Sequence, residues 1–200
     1  MILNSKQVKS LLTNTDFGAE AQHGFDCSIA KIAMMQAGMV AVSGSTDASN
    51  GASVIGGAVL VDKTHPTDLT YLEPVEQTVQ RMGKMAVGPD WEKVPPVDIA
   101  TRKGWALQKG AYSVTFNEGG KIPVEHCGWF VPRSSIIRCG NDLRSGLYDA
   151  GFEAENFGAI LIVRVPMFIE VNARIAQFII STAVSSELYD GQWQGEKDHK

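Results

Sequence analysis

From Trp105 to Thr182 the chain is a succession of short alternating segments broken by glycine and polar turns, and this pattern restricts the fold more than any other feature of its 200 residues. Gly110 to Phe116 alternates apolar and polar side chains as a strand with one buried face does; Asn117-Glu-Gly-Gly120 reads as a turn, and Lys121 to Val131 begins the next run. Phe157 to Val165 and Arg174 to Thr182 are further strands, rich in Ile, Val and Phe. Many short strands with few long helices predict a mainly β chain, a sandwich or barrel rather than an open parallel sheet.

The first half is less regular. Ser5 to Leu12 reads as a short helix that Asn4 or Ser5 can cap, with Val8, Leu11 and Leu12 on one face, and Thr13 to Ala21 as a loop. Gly24 permits a turn, after which Phe25, Cys27 and Ile29 alternate with Asp26 and Ser28 as in a strand with one wet face. Ala30 to Gly57 is rich in glycine, serine and alanine and loop-like, whereas Ala58 to Asp62 reads as a strand. Val75, Val79 and Met82 recur at helical spacing after Pro74, which predicts a helix within Leu72 to Met85; Pro89 to Pro96 is a turn-rich connector. Ser185 to Lys200 turns polar and reads as a flexible tail. Trp193 within it is either a clamp onto the body of a subunit or a plate for a ligand base.

A net charge of −4 offers no basic footprint for a nucleic acid polymer, so a nucleotide is the more comfortable anionic partner. The 3 cysteines, Cys27, Cys127 and Cys139, cannot all pair within the chain and show no zinc spacing, which points to a reducing compartment. No apolar run of about 18 residues predicts a membrane span, and Met1 to Leu12 lacks the apolar core of a signal peptide, so a cytoplasmic location is expected.

The chemistry concentrates between Val131 and Phe152. Arg133 and Arg138 flank Ser134 and Ser135, and guanidinium forks beside hydroxyls suit phosphate oxygens through paired, charge-assisted hydrogen bonds. Asp149 follows in a glycine-bounded aromatic turn, Gly146-Leu-Tyr-Asp149-Ala-Gly-Phe152, where a carboxylate suits a general base or a metal.

These segments, with Ala173-Arg-Ile-Ala-Gln177, Gln22-His-Gly-Phe-Asp26, the opening Met1-Ile-Leu-Asn-Ser-Lys6 and the tail Tyr189-Asp-Gly-Gln-Trp-Gln-Gly195, resemble in order the motifs of the dUTPase and dCTP deaminase superfamily. The resemblance covers roughly residues 1–29 and 105–196. It implies a distorted jelly-roll or β-barrel of the dUTPase-like type with a short N-terminal helix, in which residues 1–184 form one domain, 30–104 a helical or loop-rich insertion or divergent region, and 185–200 the tail. It also implies a homotrimer with sites at subunit interfaces, a deoxynucleoside triphosphate substrate and Mg2+ on its phosphates. Carried over position by position, Arg133, Ser134, Ser135, Arg138 and Gln177 hold phosphate. Asp149 orients or deprotonates the attacking water, and Phe152 lies beneath the deoxyribose. Gly146, Leu147, Tyr148 and Trp193 serve sugar and base. Asp26 reads as either a turn or strand-edge acid or a metal position acting through water.

The superfamily contains a hydrolase and a deaminase. The deaminases use a glutamate on the strand after the Asp149 turn, whereas Phe157 to Val163 contains no acid, and Glu153 and Glu155 just upstream read as a solvated hairpin tip. Zinc-dependent deamination requires H-x-E with P-C-x-x-C, which is absent. The expectation is therefore dUTP hydrolysis to dUMP and pyrophosphate, with dCTP deamination, or a non-catalytic nucleotide-binding regulatory trimer, as the alternatives.

Overall fold

The computed structural model describes residues 1–35, 69–81, 98–184, 187–190 and 194–195. In chain order the elements are helix α1 (Ser5–Ser10), strands β1 (Leu12–Thr13), β2 (Ala19–Glu20), β3 (Phe25–Met35), β4 (Leu69–Tyr71), β5 (Val75–Arg81), β6 (Asp98–Leu107), β7 (Gly110–Phe116), β8 (Gly119–Lys121) and β9 (His126–Pro132), helix α2 (Ser134–Arg138), and strands β10 (Asp142–Arg144), β11 (Glu153–Ala154), β12 (Gly158–Val163), β13 (Met167–Glu170) and β14 (Arg174–Thr182).

The main sheet is antiparallel and runs β10-β12-β7-β3-β14-β9, with β2 and β4 joined to β3. β3 changes its main partner along its length: Phe25 to Ser28 pair with β14 and Ile29 to Met34 pair with β7, with a register shift between Ile29 and Lys31. The two ends of the sheet meet. Ser145, just past β10, accepts a hydrogen bond from Phe130 N of β9 at 2.9 Å, and Tyr148 exchanges backbone bonds with Gly128 at 2.8 and 2.9 Å. The result is a nearly closed, barrel-like sheet, in which edge groups find partners instead of lying open to another chain.

Closure surrounds an aromatic core. Phe116 and Phe130 stack at 4.3 Å between centroids, Phe157 and Phe178 lie 4.8 Å apart, and Tyr148 meets Phe152 edge-on at 5.2 Å. Such pairs add about 0.5–1.5 kcal/mol each beyond the area they bury. A second sheet, β13-β6-β5, is tied to the barrel by Trp105, whose indole N–H donates to Leu72 O at 2.8 Å. Smaller still is the sheet β1-β8-β11, which brings Lys121 opposite Glu153.

Several sequence expectations need correction. Residues 75–81 form a strand, not part of a helix: seven consecutive residues pair in register with β6, and Thr78 meets Thr101 across the pair at 3.3 Å. Val75 and Val79 lie four apart, a spacing that satisfies a two-residue period as well as a helical one, and β-branched side chains favour the strand. The turn expected at Asn117 to Gly120 is an inward bend that leads directly into β8. The loop expected between Thr13 and Ala21 contains β2, and Ser28 is fully buried instead of facing water. α1 ends at Ser10, where Leu12 is drawn into β1 opposite Gly120; its start is held by a capping box in which Asn4 and Gln7 each accept the other's backbone N–H at 3.0 Å. The strand expected at Ala58 to Asp62 and the connector Pro89 to Pro96 lie outside the described residues, as does most of Ala30 to Gly57.

Candidate functional site

The central strand β14 organises one half of the site. Gln177 is in register with Asp26 of β3 on one side and with Val131 of β9 on the other. Directly opposed residues of an antiparallel sheet share a face, so the three form a row. Arg133 is the first residue past β9; its backbone N–H donates to Ile175 O at 2.9 Å, which continues the extended direction before α2 begins. From there its guanidinium reaches back over the row. Nε lies 3.0 Å from Asp26 Oδ2, and Nη1 donates to the carbonyl of Arg174 at 3.1 Å.

α2 then lifts Ser134 and Ser135 into solvent, while its buried Ile136 anchors the turn to the core. Arg138 is exposed at the end of α2, four residues after Ser134 and on the same side of the helix. The structure therefore gathers Asp26, Arg133, Ser134, Ser135, Arg138 and Gln177 at one end of β9.

The other half lies at the opposite end. Tyr148 is bridged to Gly128, five residues before Arg133, a separation of about 16 Å at the rise of a strand. The hairpin is held by reciprocal backbone bonds, Gly151 N to Ile122 O and Ile122 N to Phe152 O, and its turn closes from Phe152 N to Asp149 O. Gly151 has φ +86°, where a side chain is strained, whereas Gly146 has open space around it and no steric need to be glycine. Gly146, Leu147 and Asp149 are exposed, and the Asp149 carboxylate has no hydrogen bond or ion pair among the described residues. Tyr148 turns inward, its hydroxyl donating to Gly158 O. Phe152 is buried, with only 7% exposed, and meets Tyr189 of the tail edge-on at 5.3 Å.

The tail folds back on the same hairpin. Tyr189 N donates to Ala150 O at 2.8 Å, Gln194 Nε2 to Gly151 O at 2.9 Å, and Gly195 N to Glu153 O at 2.9 Å. Trp193 lies outside the described residues.

The two upstream glutamates face water: Glu153 pairs with Lys121 at 3.2 Å, with more than half of each side chain exposed, and Glu155 is exposed. β12 directs Ala159, Leu161 and Val163 into the core and carries no acid. All three cysteines are free, and among the described residues no group of three or more His, Cys, Asp or Glu side chains could hold a metal.

One charged residue escaped the sequence reading. Glu118 is fully buried, with Oε2 accepting Ser28 N and Oε1 accepting Ser28 Oγ, both at 2.9 Å. Asn117 Nδ2 donates to the same Ser28 Oγ at 2.9 Å and to Asn172 Oδ1 at 3.1 Å. Burial holds the Glu118 carboxyl above its ordinary range despite the Ser28 bonds that oppose the shift, and burial together with Glu118 raises the neighbouring Cys27 thiol. A signal for this was present: Tyr112, Val114 and Phe116 point inward, and Glu118 has the same parity.

The nearly closed β-sheet carries a cationic, hydroxyl-rich ledge and a separate carboxylate hairpin, and the chain is a member of the superfamily that unites dUTPases and dCTP deaminases. The chain belongs to the dCTP deaminase-like family, whose model matches residues 63–183. A probable deoxyuridine 5'-triphosphate nucleotidohydrolase from Methanosarcina acetivorans is 32% identical over 126 residues, which are 60% of this chain and 74% of that protein. One of the same name from Halobacterium salinarum is 32% identical over 135 residues, 65% of this chain and 81% of its own. A crystal structure of 2'-deoxycytidine 5'-triphosphate deaminase from Agrobacterium tumefaciens superposes with TM-score 0.49 at 13% identity, covering 90% of this chain and 46% of that one.

Proposed function

We propose that the protein hydrolyses dUTP to dUMP and pyrophosphate. The observation that carries this reading is the ledge at the end of β9, where Arg133 keeps N–H donors without a partner among the described residues, beside Gln177 and the exposed Ser134 and Ser135. The archaeal relatives named as probable dUTP nucleotidohydrolases support it.

In this mechanism Arg133, the two serines and Gln177 bind phosphate oxygens, and Arg138 adds charge from the next turn of α2. Water attacks the α-phosphorus while the bond to the bridging oxygen of the β-phosphate breaks and pyrophosphate leaves; Asp149 orients the water and accepts its proton. Phe152 would lie beneath the sugar once Tyr189 moves off its ring, and the backbone of Gly146 to Tyr148 would read the base. As the resemblance implies, Trp193 would stack on the base. Because Arg133 and Asp149 stand at opposite ends of β9, one chain does not bring them onto one ligand, and the site is completed by the hairpin of a second copy in a homotrimer.

Asp26, beside the ledge, is engaged by Arg133 at 3.0 Å, so a Mg2+ would be carried by phosphate oxygens and water rather than by this carboxylate. Bound there, Mg2+ would neutralise charge on the phosphates. The free cysteines suit a reducing, cytoplasmic setting; among the described residues no helix is long and apolar enough to cross a membrane.

The test is a chromatographic product assay with Mg2+ and dUTP, dCTP, dTTP and the ribonucleotides in separate incubations. Formation of dUMP with pyrophosphate is expected. Formation of dUTP from dCTP would overturn the reading in favour of deamination, with Glu153 or Glu155 recruited. Nucleotide binding without turnover would favour a regulatory trimer.

A further inference from the structure

We infer that Asp26 is a positioning residue that acts through Arg133: it sets the plane in which the guanidinium meets phosphate. The inference rests on the proposed dUTP hydrolysis and assigns Asp26 a role different from that of a metal position.

Asp26 is well placed to orient a partner because it is itself fixed. It lies within β3, in register with Gln177 on one side and Ala19 on the other, and its side chain is only 13% exposed. The entry to this strand is equally constrained. Gly24 has φ +139°, and a Cβ there would come within 2.5 Å of Phe178 O and 3.0 Å of Gln177 Cγ, so the backbone is pressed against β14 two residues before Asp26.

Arg133 approaches from the far side of the same row. Its Nε edge is taken by Asp26 and one Nη1 proton by the Arg174 carbonyl. A guanidinium has five N–H donors in one plane. Two contacts on different edges of the group fix that plane and leave three donors, none with a further partner among the described residues, on a side chain 36% exposed. Neither contact alone would suffice: with the carbonyl bond only, the guanidinium can swing about Nη1.

Two effects of the Asp26 charge oppose each other. It weakens the attraction between Arg133 and phosphate, and it prevents the long side chain from sampling rotamers that cannot bind. The first is damped because Arg133 is partly open to solvent; the second acts in full on a side chain with large rotamer entropy. Orientation therefore wins, and removing the charge should weaken substrate binding.

The full-length chain is compared with Asp26→Asn, Arg133→Lys and the double variant, measuring kcat and KM for dUTP and the Mg2+ concentration for half-maximal rate. Asp26→Asn is expected to raise KM about tenfold, with the loss falling on KM rather than kcat and the Mg2+ half-saturation unmoved. In the double variant Asp26→Asn should add less than about twofold to the loss caused by Arg133→Lys alone, since its effect passes through the arginine. A shifted Mg2+ half-saturation at constant KM, a fully additive double variant, or unchanged KM would each overturn the inference. If the wild type turns over no nucleotide, the proposed function fails instead. Binding of inorganic triphosphate without Mg2+ then decides: about tenfold weaker binding by Asp26→Asn sustains the role of Asp26, and equal binding overturns it.

Discussion

Glu118 offers the sharpest test of how the interior is held. Replacing it with alanine leaves Ser28 N–H and Ser28 Oγ–H without the two acceptors they have at 2.9 Å, in a site with no exposure to water. Each buried donor left unsatisfied costs about 1–3 kcal/mol, and the Ser28 hydroxyl can recover part of its loss by turning toward another acceptor. A net loss of about 3 kcal/mol is the expected outcome, or about 6–12 °C in Tm for a chain of this size. Glu118→Gln probes the charge without emptying the site. Because burial raises the folded-state pKa of Glu118, the native state binds the proton more tightly than the unfolded one. The stability this group contributes is fully present below its unfolded pKa and is lost as pH rises toward the folded value. The slope approaches 1.36 kcal/mol per pH unit within that window and vanishes above it. Asp142 slopes the other way, lowered by its bonds to Arg144 and Leu143 against its own desolvation. The informative quantity is therefore the wild type minus Glu118→Gln difference, measured by urea denaturation from pH 4 to 8. It should fall with pH in favour of the glutamine. A flat or rising difference would refute the account of Glu118 as a carboxyl strained by burial, and an alanine variant within 2 °C of wild type would refute the account of its bonds.

Three further outcomes are expected. Asp149→Asn should abolish product formation while leaving nucleotide binding within about threefold, checked by calorimetry; mixing Asp149→Asn with Arg133→Ala chains after joint refolding should restore part of the activity if the two halves of a site come from different copies. Gly119→Ala would drive a Cβ to 1.9 Å from the backbone oxygen of Glu155, so the β8–β11 contact must break, and a loss of at least about 2 kcal/mol is expected in thermal melts. Deleting residues 187–200 removes the Tyr189 and Gln194 contacts to the hairpin; it should raise the rate at which a protease nicks near Asp149 and raise KM for dUTP more than it lowers Tm.

What the sequence revealed depended on how far each feature could be decided locally. Gly110–Phe116 and Arg174–Thr182 match the expected strands residue for residue, because a long apolar alternation leaves little choice. Val75 and Val79 misled because their spacing fits two periods, and only pairing with β6 selects one. Ser28 was expected on a wet face because nothing near it in sequence announces Glu118, which meets it from 90 positions away. The same limit applies to the site. The Arg133 to Arg138 segment and the Asp149 turn were recognisable as chemistry, but the salt bridge between Asp26 and Arg133 was not. Nor was the distance separating the ledge from the hairpin, since both depend on the order of strands in the sheet.

That order also bears on how the molecule is made. β14 sits between β3 and β9, with Arg174 opposite Ser28 and Ile179 opposite Trp129. A nascent chain emerging from the ribosome must keep β3 and β9 without their common neighbour until residues 174–182 arrive. Such non-local pairing makes folding slow and leaves two apolar strand edges open to misassociation in the interval. A chain arrested before residue 174 would lack Gln177, and with it the strand that joins the Asp26 and Arg133 sides of the ledge, so an incompletely translated product could not assemble the ledge.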